Sequence, residues 1–328
     1  MWLKPCASPP LAGPVRSSSR SPWTCCSSAC RRSRRCFRLV SGRRRCRDRV
    51  PRRWHGRSHC CKRPAILAGG GAWFAGAGAE LVALAERTGI PVFANSKARG
   101  MVPDDHPLSG RGFMALGAAT QMGAAPDVVL LVGTRVGLFT GGRSEMMIPA
   151  AARIIQIDIA GEEIGRNREI ELGIVADCRE AVRALVAAAG GCTWPDRSPW
   201  QQTIRQARDF PKLMFSAALT QNTAPIHPYR LAHAIATTVA PSAIIVADGG
   251  ETSSWMDMAA EIRRGGHWLS HGYLGCLGVG MPFAMAAKAA HPDDQVVCIV
   301  GDGSVGLNFT EFDSMVRHGL NVVTVVNN

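Results

Sequence analysis

The sequence predicts an α/β protein with two doubly wound parallel-sheet domains, the second one truncated, after a disordered N-terminal segment. Two observations support this prediction. From Pro64 onward, short apolar runs alternate with segments of helical length, which is typical of parallel strands covered by helices on both faces. Before Pro64 neither helical nor strand periodicity is present, and too few apolar residues cluster to offset the entropy of ordering the chain.

The charge of the chain is divided unevenly between these two parts. Residues 1–63 hold 18 of the 38 Lys and Arg residues, eight of the twelve cysteines and a single acid, Asp48. The remainder carries 20 basic and 24 acidic side chains, so it has no basic face that would indicate nucleic-acid binding. No apolar run is long enough to span a membrane. We therefore expect a cytoplasmic protein with neither a nucleic acid nor a membrane as partner.

Several interpretations of residues 1–63 remain open. The arginine and serine content resembles a transit peptide, and an arginine-rich arm for nucleic acid is an alternative. A zinc site would lack the paired CxxC spacing of known zinc sites; its ligands would come from Cys25, Cys26, Cys30, His55, His59 and Cys60. The simplest interpretation is a mis-set start or a frame-shifted stretch that is not selected protein sequence.

The ordered part divides into two strand–helix series. Residues 64–190 form a central domain, residues 191–226 a proline- and glycine-containing linker around one polar helix, and residues 227–328 a second domain. In the first series, strands are predicted at 65–68, 91–94, 127–132 and 153–159. In the second, they are predicted at 243–247, 267–270, 295–300 and 321–326.

Polar residues follow two successive strands of the second domain. One strand runs into Gly301-Asp302-Gly303-Ser304, and the next ends in Asn327-Asn328. A right-handed crossover places both strand ends at the same sheet edge, where ligands bind. Because Mg²⁺ prefers oxygen ligands and often joins protein groups to phosphates, this pattern predicts that the Asp302 carboxylate and an amide oxygen of the Asn327-Asn328 pair hold Mg²⁺. Gly301 and Gly303 would let the backbone approach a diphosphate, and Ser304 would donate to it; the alternative is an ordinary strand-to-helix turn.

This pattern resembles the Gly-Asp-Gly and Asn-Asn signature of the thiamine diphosphate-dependent enzymes. The resemblance implies thiamine diphosphate and Mg²⁺ as cofactors, with Asp302 and Asn328 as metal ligands. Gly250, Glu251 and Thr252 stand where the family contacts the diphosphate. Residues 268–278 are similar to the segment of acetolactate synthases that holds the aminopyrimidine. There the Gly275 carbonyl would accept a hydrogen bond, and Leu277, usually Met in those enzymes, would be the apolar wedge.

The central domain carries a second, weaker set of candidates. Gly69-Gly70-Gly71 follows a strand and precedes a helix, so its amides could face a phosphate. Residues 89–109 resemble the middle domain of acetolactate synthases and of oxalyl- or 2-hydroxyacyl-CoA lyases, which binds FAD or ADP. By position the candidates are Gly70, Gly71, Gly133, Arg135, Asp158 and Asp177. Each could instead be a structural turn or helix cap, and FAD, ADP or neither remain open.

The resemblance also implies a chemistry. The family cleaves a C–C bond of a 2-keto acid or an acyl-CoA with the cofactor as electron sink. Acetolactate synthases, transferases or lyases of branched-chain amino acid biosynthesis, add the product to a second keto acid. Their essential glutamate belongs to an N-terminal pyrimidine-binding domain contributed by a partner subunit in a homodimer or homotetramer. The sequence shows no trace of that domain, so we name no catalytic residue and expect an incomplete, inactive fragment.

Two alternatives to this function remain. The chain could be a catalytically dead nucleotide-binding or partner-subunit module, or an oxalyl- or 2-hydroxyacyl-CoA lyase-like enzyme. His271 is the histidine nearest the expected cofactor. Cys276 is flanked by residues that match the family but needs no nucleophilic role, because the cofactor itself is the nucleophile.

Overall fold

The computed structural model describes residues 61–142 and 144–328. The interpretations of the N-terminal segment therefore lie outside the described residues, apart from residues 61–63. These three residues, which we predicted as disordered, are fixed to the central sheet. The amides of Lys62 and Arg63 donate to the two carboxylate oxygens of Asp127 at 2.7 and 3.1 Å, and Cys61 is buried.

The central domain contains a six-stranded parallel sheet in the order β3-β2-β1-β4-β5-β6. The chain order reverses between β1 and β4, which creates a topological switch point where the carboxyl ends of the strands leave a crevice. The strands are β1 (Pro64–Ala68), β2 (Val92–Ala94), β3 (Ser109–Gly112), β4 (Val128–Val132), β5 (Arg153–Asp158) and β6 (Leu172–Val175).

Helices cover both faces of this sheet, as its fully buried strands require. On one face the core includes Leu81 and Leu185, and on the other Leu116, Trp200 and Ile204. The helices are α1 (Gly70–Phe74), α2 (Gly78–Thr88), α3 (Met114–Gln121), α4 (Cys178–Ala189) and α5 (Ser198–Met214), with short 3₁₀ turns at Ser96–Ala98, Leu138–Thr140 and Gly161–Glu163.

Helix α5, predicted inside a linker, packs as part of the central domain. Its Trp200 and Ile204 lie in the core beside β1 and β4, and the Trp200 indole donates to the Pro64 carbonyl at 2.8 Å. The apolar face of α5 therefore covers the sheet, and only its outer face is polar.

The second domain has a four-stranded parallel sheet in the order β10-β9-β7-β8. Its switch point lies between β7 and β9. The predicted fold class of two doubly wound parallel sheets is confirmed. The elements are α6 (Ser216–Thr220), α7 (Pro228–Thr238), β7 (Ile244–Asp248), α8 (Gly250–Ala259), β8 (Trp268–Ser270), α9 (Gly280–Ala290), β9 (Val296–Gly301), α10 (Asp302–Leu307), α11 (Glu311–Arg317) and β10 (Val323–Asn327).

The helices of the second domain also lie on both sheet faces. Met281 of α9 and Met315 of α11 share a core with Val246 and Cys298, whereas Met256 of α8 packs with the opposite face of the sheet. Within the described part of the chain, no helix combines the length and apolar character needed to cross a bilayer.

Candidate cofactor site

The predicted metal residues lie at the carboxyl edge of the second sheet. Strands β9 and β10 pair in parallel with Asn327 opposite Gly301. Asp302 and Asn328 are therefore the next residues on two adjacent strand ends, and both are exposed. A carboxylate and an amide stand together at one edge, as the spacing predicted.

The turn after β7 adjoins this pair at the switch point. Asn327 Nδ2 donates to Thr252 Oγ1 at 3.1 Å. Gly249 has φ +99, and a Cβ there would stand 3.3 Å from the Gly301 amide nitrogen and 3.5 Å from Ser304 Oγ. The first turn of α8, which holds Gly250, Glu251 and Thr252, therefore meets the Gly301–Ser304 segment in the gap between β7 and β9.

This gap has the donors and the space that a metal-bound diphosphate needs. The first amides of a helix have no partner within the helix and carry partial positive charge, so they bind phosphate oxygens. A Cβ on Gly250 or Gly303 would meet no atom within 4 Å, which leaves open space above the backbone. Among the described residues no cluster of three or more His, Cys, Asp or Glu could hold a metal. The donor set of one carboxylate and one amide is one that Mg²⁺ supplements with phosphate oxygens and water.

Glu251 contributes to this site differently from its neighbours. Its carboxylate accepts a hydrogen bond from the Trp255 indole at 3.0 Å, one turn along α8. Any contact of Glu251 with a diphosphate would therefore come from its backbone amide, because a carboxylate repels phosphate.

The loop between β8 and α9 carries the residues predicted to hold the aminopyrimidine. Gly275 closes a turn by donating its amide to the Gly272 carbonyl at 2.9 Å. The Leu277 side chain is 46% exposed and so is available to a ligand. Asn308 anchors the end of the loop by donating to the Gly278 carbonyl.

Asp248 lies at the tip of β7, and no role of its own was predicted for it. Its fully buried carboxylate accepts hydrogen bonds from the amides of Gly249 and Gly280 at 2.7 and 2.8 Å. It therefore ties the turn after β7 to the first residue of α9. The only sequence signal was an acid directly after an apolar strand.

A cavity of about 560 Å³ lies at the switch point of the central sheet. The Gly71 amide donates to the Gly133 carbonyl at 2.9 Å, and Gly133 has φ +60. A Cβ on Gly133 would stand 2.3 Å from the Ala72 amide nitrogen, so this close approach of β4 to α1 requires glycine. Of the six candidates in this domain, five line the cavity: Gly70, Gly71, Gly133, Arg135 and Asp158.

Charged side chains define one end of this cavity. Arg135 lies 2.6 Å from Glu163, and its guanidinium stacks 4.2 Å from the centre of the Tyr273 ring. The hydrogen bond between Arg135 and Glu163 raises the pKa of the arginine and lowers the pKa of the glutamate. Asp158 Oδ1 accepts from the Ala160 amide at 3.0 Å, and burial raises the pKa of Asp158.

Asp177, the sixth candidate, has a structural position. It is the N-cap of α4 and accepts a hydrogen bond from the Glu180 amide at 3.0 Å. It is absent from the described residues that line the cavity.

The second domain supplies the opposite wall of the same cavity. Gly250, Ser253, Ser254 and Asp257 line it from α8, a spacing that puts them on one helical face. The buried Ser253 hydroxyl has no hydrogen-bond partner in the structure. His271 lies on the same wall, away from the paired strand ends. This row of residues on α8 was not predicted, although its helical spacing was a usable signal in the sequence.

Comparison with known families identifies both halves. Residues 61–185 match the central domain of thiamine pyrophosphate enzymes, and residues 248–328 match their C-terminal TPP binding domain. The chain belongs to the thiamine pyrophosphate enzyme family. The predicted resemblance is thereby confirmed. The two matched regions of this family member contain the cavity glycines and the paired strand ends, respectively.

Relatives named as acetolactate synthases match about four fifths of this chain. A probable acetolactate synthase of Mycobacterium bovis is 33% identical over 269 residues, 81% of this chain and 47% of the relative. Acetolactate synthase isozyme 1 large subunit of Escherichia coli K12 is 30% identical over 273 residues, 82% and 47% of the two chains. A probable large subunit from Methanocaldococcus jannaschii is 32% identical, with 81% and 45% covered. The chain spans about half the length of these curated relatives.

Proposed function

We propose that the chain binds thiamine diphosphate through Mg²⁺ at the carboxyl edge of the second sheet. Asp302 and the amide oxygen of Asn328 would hold the cation. The diphosphate would be held by Gly301, Gly303 and Ser304, together with the amides of Gly250, Glu251 and Thr252. Gly275 and Leu277 would bind the aminopyrimidine. The observation that supports this proposal most directly is the parallel pairing of Asn327 with Gly301.

The residues of this chain would act by binding and orienting. When bound, thiamine diphosphate supplies the nucleophilic carbon and the electron sink for C–C cleavage. The convergent amides would hold the diphosphate, and Leu277 would fix the angle between the two cofactor rings. Asp248 would hold the turn after β7, which faces the proposed diphosphate position, against the start of α9.

We further propose an acetolactate synthase-like reaction class, the decarboxylation and carboligation of 2-keto acids. The relatives that match this chain carry that name. The glutamate that promotes ylid formation in the family belongs to a pyrimidine-binding domain, whereas the matched regions are the central and the C-terminal domains. We expect the two matched regions to bind the cofactor and, by resemblance to the family, to act in a homo-oligomer in which a pyrimidine-binding domain supplies that glutamate.

The central cavity is proposed to bind the ADP portion of a nucleotide, either as ADP or as part of FAD. Gly70, Gly71 and Gly133 would let the phosphates approach the backbone closely, although the amides of Gly71 and Gly133 already donate to the carbonyls of Gly133 and Ile157 and so would not donate to a phosphate as predicted. Asp158 is suited to bind ribose hydroxyls. Calorimetry with ADP and flavin absorbance after equilibration with FAD distinguish the two ligands. Binding of neither would contradict this part of the proposal.

Calorimetric titration of the full chain with thiamine diphosphate tests the main proposal. Binding should require Mg²⁺, and Asp302→Ala should weaken it about 100-fold or more, because the metal loses its carboxylate. Asp313→Ala is the matched control: Asp313 is also exposed, and its i,i+4 ion pair with Arg317 contributes little to stability. Equal affinity of wild type and Asp302→Ala would refute the metal assignment.

A further inference from the structure

A fully buried arginine, Arg99, joins the central domain to the C-terminal end of α8. Its side chain has 0% exposure. Nη2 lies 2.6 Å from Asp104 Oδ2, and Nη1 contacts Asp257 Oδ1 on α8. The guanidinium thus bridges two carboxylates, one on each side of the contact between the domains.

The same guanidinium also binds the end of the α8 backbone. Nη1 donates to the Asp257 carbonyl at 3.2 Å, and Nη2 donates to the Ala260 carbonyl at 3.1 Å. The last carbonyls of a helix have no partner within the helix and carry partial negative charge. A buried cation at this position therefore satisfies two orphan acceptors and interacts favourably with the helix dipole.

The segment after α8 is fixed to the same part of the central domain. The Ile262 amide donates to Asp104 Oδ2 at 2.8 Å, and the Asp104 amide donates to the Ile262 carbonyl at 2.9 Å. A Cβ on Gly100 would stand 2.3 Å from the Arg264 carbonyl oxygen. The two backbones are therefore in direct contact, with no space for a water layer.

The charges of this cluster cannot separate at low cost. Burial lowers the pKa of Arg99, but the Asp104 and Asp257 carboxylates outweigh burial and raise it, so the guanidinium stays charged. A buried charge that loses its partner is strongly unfavourable. This holds the C-terminal end of α8 in one position relative to the central domain.

The other end of α8 is the proposed diphosphate turn. Ten residues of helix form a rod about 15 Å long, so a displacement at Asp257 carries to the amides of Gly250, Glu251 and Thr252. Asp257 and Ser253 also line the central cavity from the side of the same helix. We propose that Arg99 is a positioning residue for thiamine diphosphate, which fixes α8 so that its first turn faces the diphosphate. This inference rests on the proposed cofactor site.

Paired arginine variants of the full chain test this role. Arg99→Lys keeps the charge but cannot present the planar fork that binds both carboxylates, and Arg99→Met removes the charge as well. Arg197 is a matched control, since it is also buried and its Nη1 donates to the carbonyls of Thr88 and Pro195 within the central domain. Arg197→Lys and Arg197→Met therefore lose a comparable anchor without touching α8.

Hydrogen exchange and cofactor affinity are measured on all five proteins. Without ligand, peptides covering residues 250–264 should exchange about tenfold faster in Arg99→Lys than in wild type, because α8 opens locally. The Kd for thiamine diphosphate with Mg²⁺ should rise about tenfold in Arg99→Lys and stay within about twofold in Arg197→Lys. If Arg99→Met does not fold, the comparison of Arg99→Lys with Arg197→Lys decides whether Arg99 positions α8 for the cofactor.

Four outcomes would overturn the inference. Unchanged exchange of residues 250–264 in the Arg99 variants would show that Arg99 does not fix α8. An equal rise of Kd in the Arg99 and Arg197 variants would show general destabilisation. Wild-type binding that the Arg99 variants retain would refute this role alone, whereas absence of wild-type binding would refute the proposed function and the cofactor role of Arg99 with it.

Discussion

The carboxylate of Asp158, a candidate binding residue, lowers the stability of the folded protein. Its carboxylate lies at the end of β5 in the wall of the cavity, and burial raises its pKa above the usual 3.8. The hydrogen bonds from the backbone amides of Ala160 and Ile159 do not compensate for desolvation. Perturbed carboxylates of this kind are concentrated at functional sites.

Asp158→Asn tests this cost through its pH dependence. Below pH 3.8 the carboxyl group is protonated in both states, and its contribution to stability is fully present. As the pH rises through the raised folded pKa, that contribution is lost, because the unfolded state ionises more easily. The asparagine does not titrate, so its stability advantage over wild type should grow from acidic to neutral pH in urea unfolding. ADP affinity should fall in the same variant, and a shrinking advantage with rising pH would contradict the argument.

Gly133 is a second residue whose type is required by its position in the structure. Gly133→Ala combines a positive φ with a Cβ 2.3 Å from the Ala72 amide nitrogen, so we expect it to lower the free energy of unfolding by about 3 kcal/mol or more. Gly123→Ala is the control, because Gly123 also has a positive φ but open space around its Cβ. It should cost only about 1 kcal/mol. Equal losses in urea unfolding would show that steric contact at Gly133 is unimportant.

At the scale of elements, Asp177 at the N-terminus of α4 allows a helix-capping role to be distinguished from a ligand-binding role. Asp177→Ala should lower the free energy of unfolding by about 1 kcal/mol, since it removes the side-chain acceptor of the Glu180 amide. Asp177→Ser should restore most of this loss. Because Asp177 lies outside the described lining of the cavity, ADP affinity should not change in either variant. A fall in affinity without a fall in stability would restore Asp177 as a binding residue.

Strands with strong local signals were predictable, and strands without them were not. The core strands β1, β4 and β9 are apolar runs next to turns, and their predicted positions agree with the structure to within one residue at each end. In contrast, β3 reads Ser-Gly-Arg-Gly and has no β-forming residue. It is a strand because β2 offers it an edge to pair with, which is tertiary context overriding propensity.

The residues of the candidate site also differ in how far the sequence predicts their positions. Asp302 and Asn328 could be placed together because each ends a recognisable strand and parallel strands share one edge. The start of α8 at Gly250 has only a weak local signal, since Gly and Thr have weak helix propensities. The contact between Arg99 and Asp257 joins residues 158 positions apart, and no local pattern indicates such a pair.

At the scale of the whole molecule, the contacts of Arg99 and Asp104 connect the two domains rigidly. The guanidinium, its two carboxylates and the Ile262 backbone are all held by hydrogen bonds across the domain contact. Separating the domains would leave these groups unpaired, with the cost of buried charges. We therefore expect residues 61–328 to unfold in a single transition.

Thiamine diphosphate with Mg²⁺ should then stabilise both domains, although its proposed site lies in the second. At a free concentration of 100 times the Kd, a ligand specific for the folded state raises the free energy of unfolding by about 2.7 kcal/mol. Trp200 lies in the central core and Trp268 in the second, so calorimetry read beside fluorescence from single-tryptophan variants reports each domain. On addition of ligand, the unfolding transitions reported by Trp200 and by Trp268 should both move to higher temperature in the protein with Asp302, and neither should move in Asp302→Ala. Two separate transitions, of which only the second moves with ligand, would show that the domains fold independently and that the buried cluster does not couple them.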